Sequence, residues 1–142
     1  MSERTDAPPT LEQINSIRVQ LDRDIQVLSA TLSQLKENGD HLSENIVSLE
    51  NLKELPEGSQ VMVPLSTSMF IKAKLKDNKN VMLDIGTGYY VDKSIDDAED
   101  YFRRKIKTIQ EQMSTIDNGL ENKKRQFQNI TLALQQQSQT EH

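Results

Sequence analysis

Residues 60–92 read QVMVPLSTSMFIKAKLKDNKNVMLDIGTGYYVD, and the fold turns on how this stretch differs from its flanks. Its apolar residues come in short runs, Gln60-Val61-Met62-Val63, Met69-Phe70-Ile71, Val81-Met82-Leu83-Asp84-Ile85 and Tyr89-Tyr90-Val91. Runs this short, rich in β-branched and aromatic side chains and bounded by turn formers, predict strands. Residues 64–68 turn the first pair, Asp77-Asn78-Lys79-Asn80 links it to the second, and Gly86-Thr87-Gly88 turns the second, where glycine tolerates positive φ. Two β-hairpins result.

On either side the period changes to alternating steps of three and four. Positions 11, 14, 18, 21, 25, 28, 32, 35, 39, 42, 46 and 49 form one seam, and ten of these twelve are Leu or Ile, the exceptions being Arg18 and Gly39. A second runs through Phe102, Ile106, Ile109, Met113, Ile116, Leu120, Lys123, Phe127, Ile130, Leu134 and Gln137. Sustained heptads of this kind predict coiled-coil helices. Thr10 and Gln13 have the spacing of a capping box, and Pro56 with Gly58 ends the first helix. Ser94 is placed to cap the second, with Asp96, Asp97 and Glu99 in its first turn, where the helix dipole favours negative charge. The heptad phase is unbroken across Asn38-Gly39 and Asn118-Gly119, so each Gly predicts a weakened helix, costing about 1 kcal/mol relative to Ala, and not a turn.

The expected organisation is a disordered segment 1–10, helices over 11–54 and 95–137 around hairpins at 60–92, and a disordered tail 138–142. Each helix would be about 65 Å long at 1.5 Å per residue, so the two can pair antiparallel as a coiled-coil hairpin with the β-hairpins at its base. The fold class is thus mainly α with a small β insert. Two-stranded hairpins are marginal in water, and helices whose stripes face each other cover them poorly. The apolar residues Val61, Val63, Phe70, Ile71, Val81, Leu83, Ile85, Tyr89 and Val91 are therefore expected to meet strands of other chains, so that the molecule assembles through its β segments.

At the other end of the helices the uniform rise sets Ile17 and Val19 level with Leu132. All three lie off the seams, where a two-helix zipper places polar residues. With Ile14, Phe127, Ile130 and Leu134 of the seams they form a candidate grip for other polypeptides. The off-seam Val27 and Val47 support the plainer view that single exposed apolar residues are common.

Composition narrows the rest. Of 142 residues 35% are hydrophobic and 4% aromatic, there is no Cys or Trp, and the net charge is -5. Thiol chemistry is excluded, and mild acidity without a long basic run gives no footprint for nucleic acid. Residues 1–10 lack the apolar core of a secretory signal and no run approaches a membrane span, so a soluble intracellular protein is expected. His41 stands alone on a helix, Gly86-Thr87-Gly88 lacks the Lys and Ser/Thr of a phosphate loop, and Asp84, Asp92, Asp96 and Asp97 lack calcium-loop order. No catalytic set, cofactor site or metal site is expected, and the chain does not read as an enzyme.

The stretches VPLSTSMF (63–70) and DIGTGYYV (84–91), set in the order helix, two hairpins, helix, resemble the alpha class of prefoldin subunits, and within it the eukaryotic subunit-five branch. One departure is Lys72-Ala73, where the family usually carries Pro-Gly. The resemblance implies a heterohexamer of two alpha-type and four beta-type subunits, with a multi-chain β-barrel platform bearing coiled-coil tentacles. It implies an ATP-independent holdase of the cytoplasm, with a nuclear role left open. Such a holdase captures unfolded actin and tubulin and passes them to the cytosolic group II chaperonin. The alternative is a coiled-coil tether or oligomerisation subunit that handles no client.

Overall fold

A computed structural model describes residues 10–140. Of the segment expected to be disordered at the start only Thr10 is described, and Glu141 and His142 also lie outside. The elements are α1 (Leu11–Glu54), β1 (Gln60–Pro64), β2 (Phe70–Lys74), β3 (Asn80–Gly86), β4 (Tyr89–Ser94) and α2 (Ile95–Thr140). They fall into two compact units, one of residues 37–110 and one combining residues up to 36 with those from 111 onward.

Both helices begin as their sequences dictate. The Thr10 hydroxyl accepts the Gln13 N–H at 3.2 Å while Gln13 Oε1 accepts the Thr10 N–H at 3.0 Å, the reciprocal bonds of a capping box. The Ser94 hydroxyl accepts the Asp97 N–H at 3.2 Å. Every α1 seam position from Ile14 to Leu49 is buried or half-buried, and so is every α2 seam position from Phe102 to Leu134. Neither Asn-Gly pair interrupts its helix.

Residues 138–140, expected in the disordered tail, are instead the last residues of α2. The Ser138 and Thr140 hydroxyls donate at 2.9 Å to the carbonyls of Gln135 and Gln137. Both bonds run back three residues within the helix, which continues past Leu134, the last apolar position of its seam.

In the 37–110 unit the end of α1 and the start of α2 run antiparallel. A Cβ on Gly39 would lie 3.7 Å from Ile109 Cγ2, whereas Lys53, fourteen residues on, reaches back to Asp96 and Glu99. Two separate antiparallel sheets complete the unit, β1-β2 and β3-β4. The first pairs Val61 with Ala73 and Val63 with Ile71. Lys72-Ala73 sits inside this ladder, Met62 opposite Lys72 and Val61 opposite Ala73, and the strand runs on to Lys74. Between the hairpins Asp77 accepts the Lys79 N–H at 2.7 Å and the Asn80 amide at 2.9 Å, while the Asn78 amide donates to the Leu55 carbonyl at the end of α1.

The core of this unit is Leu49, Leu83, Ile95 and Ala98, with Leu52, Val81, Tyr101 and Phe102 packed on it. Leu83 and Val81 are therefore covered within the chain, a correction to the expectation that they await strands of other chains. The reason is that the apolar stripe widens at the junction. Leu52, Ile95 and Ala98 add to the seam and gather with Leu83 in one cluster. In the other unit Ile14, Leu21 and Leu120 are buried, and Lys123 resolves its seam position by reaching Asp24 Oδ2 at 3.4 Å.

Candidate interaction surfaces

The hairpins place the expected assembly residues by strand alternation. On β1-β2 one face carries Val61, Val63, Ile71 and Ala73, in register as the cross-strand pairs Val61–Ala73 and Val63–Ile71. Val63 is 42% and Ile71 51% exposed, and only Val61 and Ala73 are half-buried. The opposite face carries Met62, Pro64 and Phe70, with Phe70 56% exposed. On β3-β4, Leu83 pairs with Val91 and Val81 with Lys93 across the face turned to the helices. Ile85, Tyr89 and Val91 remain exposed towards the turn. Met82 and Tyr90, on the outward face, are exposed as well. They were absent from the sequence expectation because outward positions of a half-covered strand are normally polar. An apolar residue on both faces was the signal available.

At the helix junction Lys53 Nζ lies 2.7 Å from Asp96 Oδ1 and 3.0 Å from Glu99 Oε1, and Arg103 stands 3.6 Å from the other Glu99 oxygen. Glu99 is the buried member. The bonds to Asp96 and then Glu99 raise the Lys53 pKa, and the bond from Lys53 holds Asp96 below its ordinary value. Asp77 is lowered too, chiefly by the Asn80 amide and then by the Lys79 N–H. The ion pairs join the end of α1 to the start of α2, and the Asp77 bonds hold the link between the two hairpins.

The expected gripping residues divide three ways. Ile14 is buried, Phe127, Ile130 and Leu134 are half-buried along the seam, and Ile17, Val19 and Leu132 are exposed at 49%, 41% and 55%. Phe127 and Leu132 line one shallow groove of about 300 Å³ with Gln128, Thr131 and Gln135, all on α2. Ile17 and Val19 are not among its walls. The polar wall residues escaped the sequence reading because nothing in a seam pattern marks them.

His41 is exposed between Glu37 and Glu44, at 3.8 and 3.7 Å. Asp84 and Asp92 lie in strands, Asp96 and Asp97 in the first turn of α2, and Gly86-Thr87-Gly88 is a tight turn. Among the described residues no group of three or more His, Asp or Glu is arranged to hold a metal, and no helix is long and apolar enough to cross a membrane.

Comparison with known proteins agrees with this architecture. The prefoldin subunit family matches residues 21–140. Prefoldin subunit 5 of Homo sapiens is 39% identical over 113 residues, covering 80% of this chain and 73% of its own. A probable prefoldin subunit 5 of Dictyostelium discoideum is 32% identical over 126 residues, covering 89% and 78%. A chain from the cryo-EM structure of filamentous PFD from Methanocaldococcus jannaschii superposes with a TM-score of 0.75 over 84% of this chain and 98% of its own, at 18% identity, and so shares the fold. With two heptad helices, two hairpins and these relatives, the chain belongs to the prefoldin subunit family, alongside the subunit 5 proteins.

Proposed function

We propose that this chain, as a subunit of a heterohexameric prefoldin, helps to hold unfolded polypeptides and pass them on without nucleotide hydrolysis. Family membership makes it a chaperone component whose partners are other prefoldin subunits. In the finer reading the exposed faces of its hairpins join a β platform shared by two alpha-type and four beta-type subunits. Its clients are unfolded chains such as actin and tubulin, its downstream partner is the cytosolic group II chaperonin, and its place of work is the cytoplasm.

The observation that carries client holding is the exposure of Ile17, Val19 and Leu132, three large apolar side chains that keep about half their surface open to solvent. Apolar surface of this kind suits weak, sequence-tolerant capture, because hydrophobic contact is non-directional. The test is Ile17→Ser/Val19→Ser/Leu132→Ser in the assembled complex, scored by light scattering of a denatured client. Protection falls several-fold while the complex keeps its mass. Unchanged protection retires client holding by these residues and favours the tether.

A further inference from the structure

A second surface, formed wholly within the 37–110 unit, differs in chemistry from the hairpin faces. A shallow groove of about 570 Å³ runs along the start of α2, lined by Lys93, Asp97, Asp100, Arg103, Arg104 and Lys107. Four of these six are cations, in a chain whose net charge is -5. We propose that this groove binds an acidic segment of a partner polypeptide.

Two of the groove's cations, Lys93 and Arg104, are restrained by contacts that leave their charge unpaired. Lys93 lies 5.6 Å from the centre of the Tyr101 ring, and Lys105 stacks on the same ring at 4.8 Å. These cation–π contacts orient an ammonium without consuming its charge as a carboxylate would. The Arg104 Nε–H donates to the Asp100 carbonyl at 3.4 Å, which leaves the terminal guanidinium nitrogens for a ligand. Among the described residues Lys93, Arg104 and Lys107 form no ion pair, and of the four only Arg103 has one, with Glu99. Restraint of this sort lowers the ordering penalty of binding.

The two carboxylates select the ligand. Asp97 and Asp100 also form no ion pair among the described residues, and they stand between Lys93 and the Arg103–Lys107 end of the groove. A nucleic acid presents evenly spaced phosphates and would meet repulsion there. An extended acidic peptide brings carboxylates for the cations, bidentate at Arg104, and backbone N–H groups that Asp97 and Asp100 can accept. The backbone N–H donors that Asp97 and Asp100 can bond therefore favour a peptide over a phosphate backbone, which offers them none.

The experiment is a fluorescence-anisotropy titration of a short fluorescein-labelled peptide of alternating Glu and Gly against the full chain in its complex with partner subunits. Saturable binding that weakens steeply with salt is expected, with a matched Lys-Gly peptide remaining unbound. Arg104→Gln/Lys107→Gln weakens binding about tenfold, as expected for two lost charge contacts. Both side chains are exposed, and Lys93→Gln, at the other end of the groove, carries the same expectation should the double variant lose helicity. Absence of binding at low salt overturns the proposal. So does unaltered affinity in the variants, or tighter binding of a single-stranded RNA or a phosphopeptide of equal length. The gripping residues Ile17, Val19 and Leu132 play no part, so this test and the client assay fail separately.

Discussion

Thr87 occupies the least favourable backbone conformation in the β3-β4 hairpin. Its φ is 49°, followed by Gly88 at 80°, in a two-residue loop between Gly86 and Tyr89. Positive φ at both loop positions is the type I′ arrangement, which matches strand twist and prefers Asn-Gly. A β-branched residue at the first position pays a steric penalty there that glycine escapes. The turn is anchored from below: Asp84 Oδ1 accepts the Gly86 N–H at 3.0 Å where the register slips between Asp84 and Gly86. Thr87→Asn is therefore expected to stabilise the hairpin by roughly 1 kcal/mol, the order of the left-handed penalty for an ordinary residue. Hydrogen exchange of the β3 and β4 amides checks it, slowing about fivefold for such a gain if opening of this hairpin limits exchange. Gly88→Ala should shift exchange the other way. The sequence shows that the turn needs glycine; it does not show that Thr87 shares the strained geometry, because that depends on where pairing stops.

At the scale of elements the decisive join is between the end of α1, the start of α2 and β3. Lys53 sits in the last turn of α1 and Asp96 in the first turn of α2, so each charge also complements its own helix dipole. Because the Lys53 pKa is raised, its contribution is complete below the ordinary lysine value and disappears as pH climbs through the raised one. Because the Asp96 pKa is lowered, its contribution is complete above the ordinary carboxylate value and disappears as pH falls through the lowered one. Thermal melts followed by circular dichroism should thus show a plateau across neutral pH bounded by a loss at each extreme. Lys53→Met removes this contribution to both flanks and lowers the midpoint more than Asp96→Asn, because it also takes from the buried Glu99 the nearer of its two cations. Adding Glu99→Gln recovers part of the difference. The antiparallel pairing expected from the sequence sets Lys53 level with Asp96, but a helical period does not show that Glu99 is the carboxylate that becomes buried. The helices were legible because burial repeats along them every three or four residues, from Ile14 to Leu49 and from Phe102 to Leu134. The cover over Val81 and Leu83 was not, because it depends on how wide the stripe becomes at Leu52, Ile95 and Ala98, a property of two elements meeting and not of either period.

For the molecule as a whole, the distribution of apolar surface separates what folds the chain from what remains for neighbours. Among the described residues eighteen large hydrophobic side chains are exposed, and eleven lie between Met62 and Val91, far denser than the scatter normal for a protein surface. The two hairpins do not pair with each other, so their strand edges are open as well. A prefoldin subunit thus presents faces that other subunits can complete, whereas Leu83 belongs to its own core. Substitutions sort the two roles. Val63→Ser/Ile71→Ser removes one cross-strand apolar pair from an exposed face, and Phe70→Ser strips the opposite face. Each buried apolar side chain lost from an interface is worth about 1.5–3 kcal/mol, so the double change should weaken co-assembly at least a hundredfold. Native mass spectrometry of co-expressed subunits would then show this chain dropping out of the complex while its helix content, by circular dichroism, is kept. Leu83→Ser should lose helix content in the isolated chain, because it opens the cluster with Leu49, Ile95 and Ala98. If Val63→Ser/Ile71→Ser and Phe70→Ser both assemble normally, those faces are not where partner subunits bind, and the exposed residues of β3-β4, Met82, Ile85, Tyr89, Tyr90 and Val91, are the next to substitute.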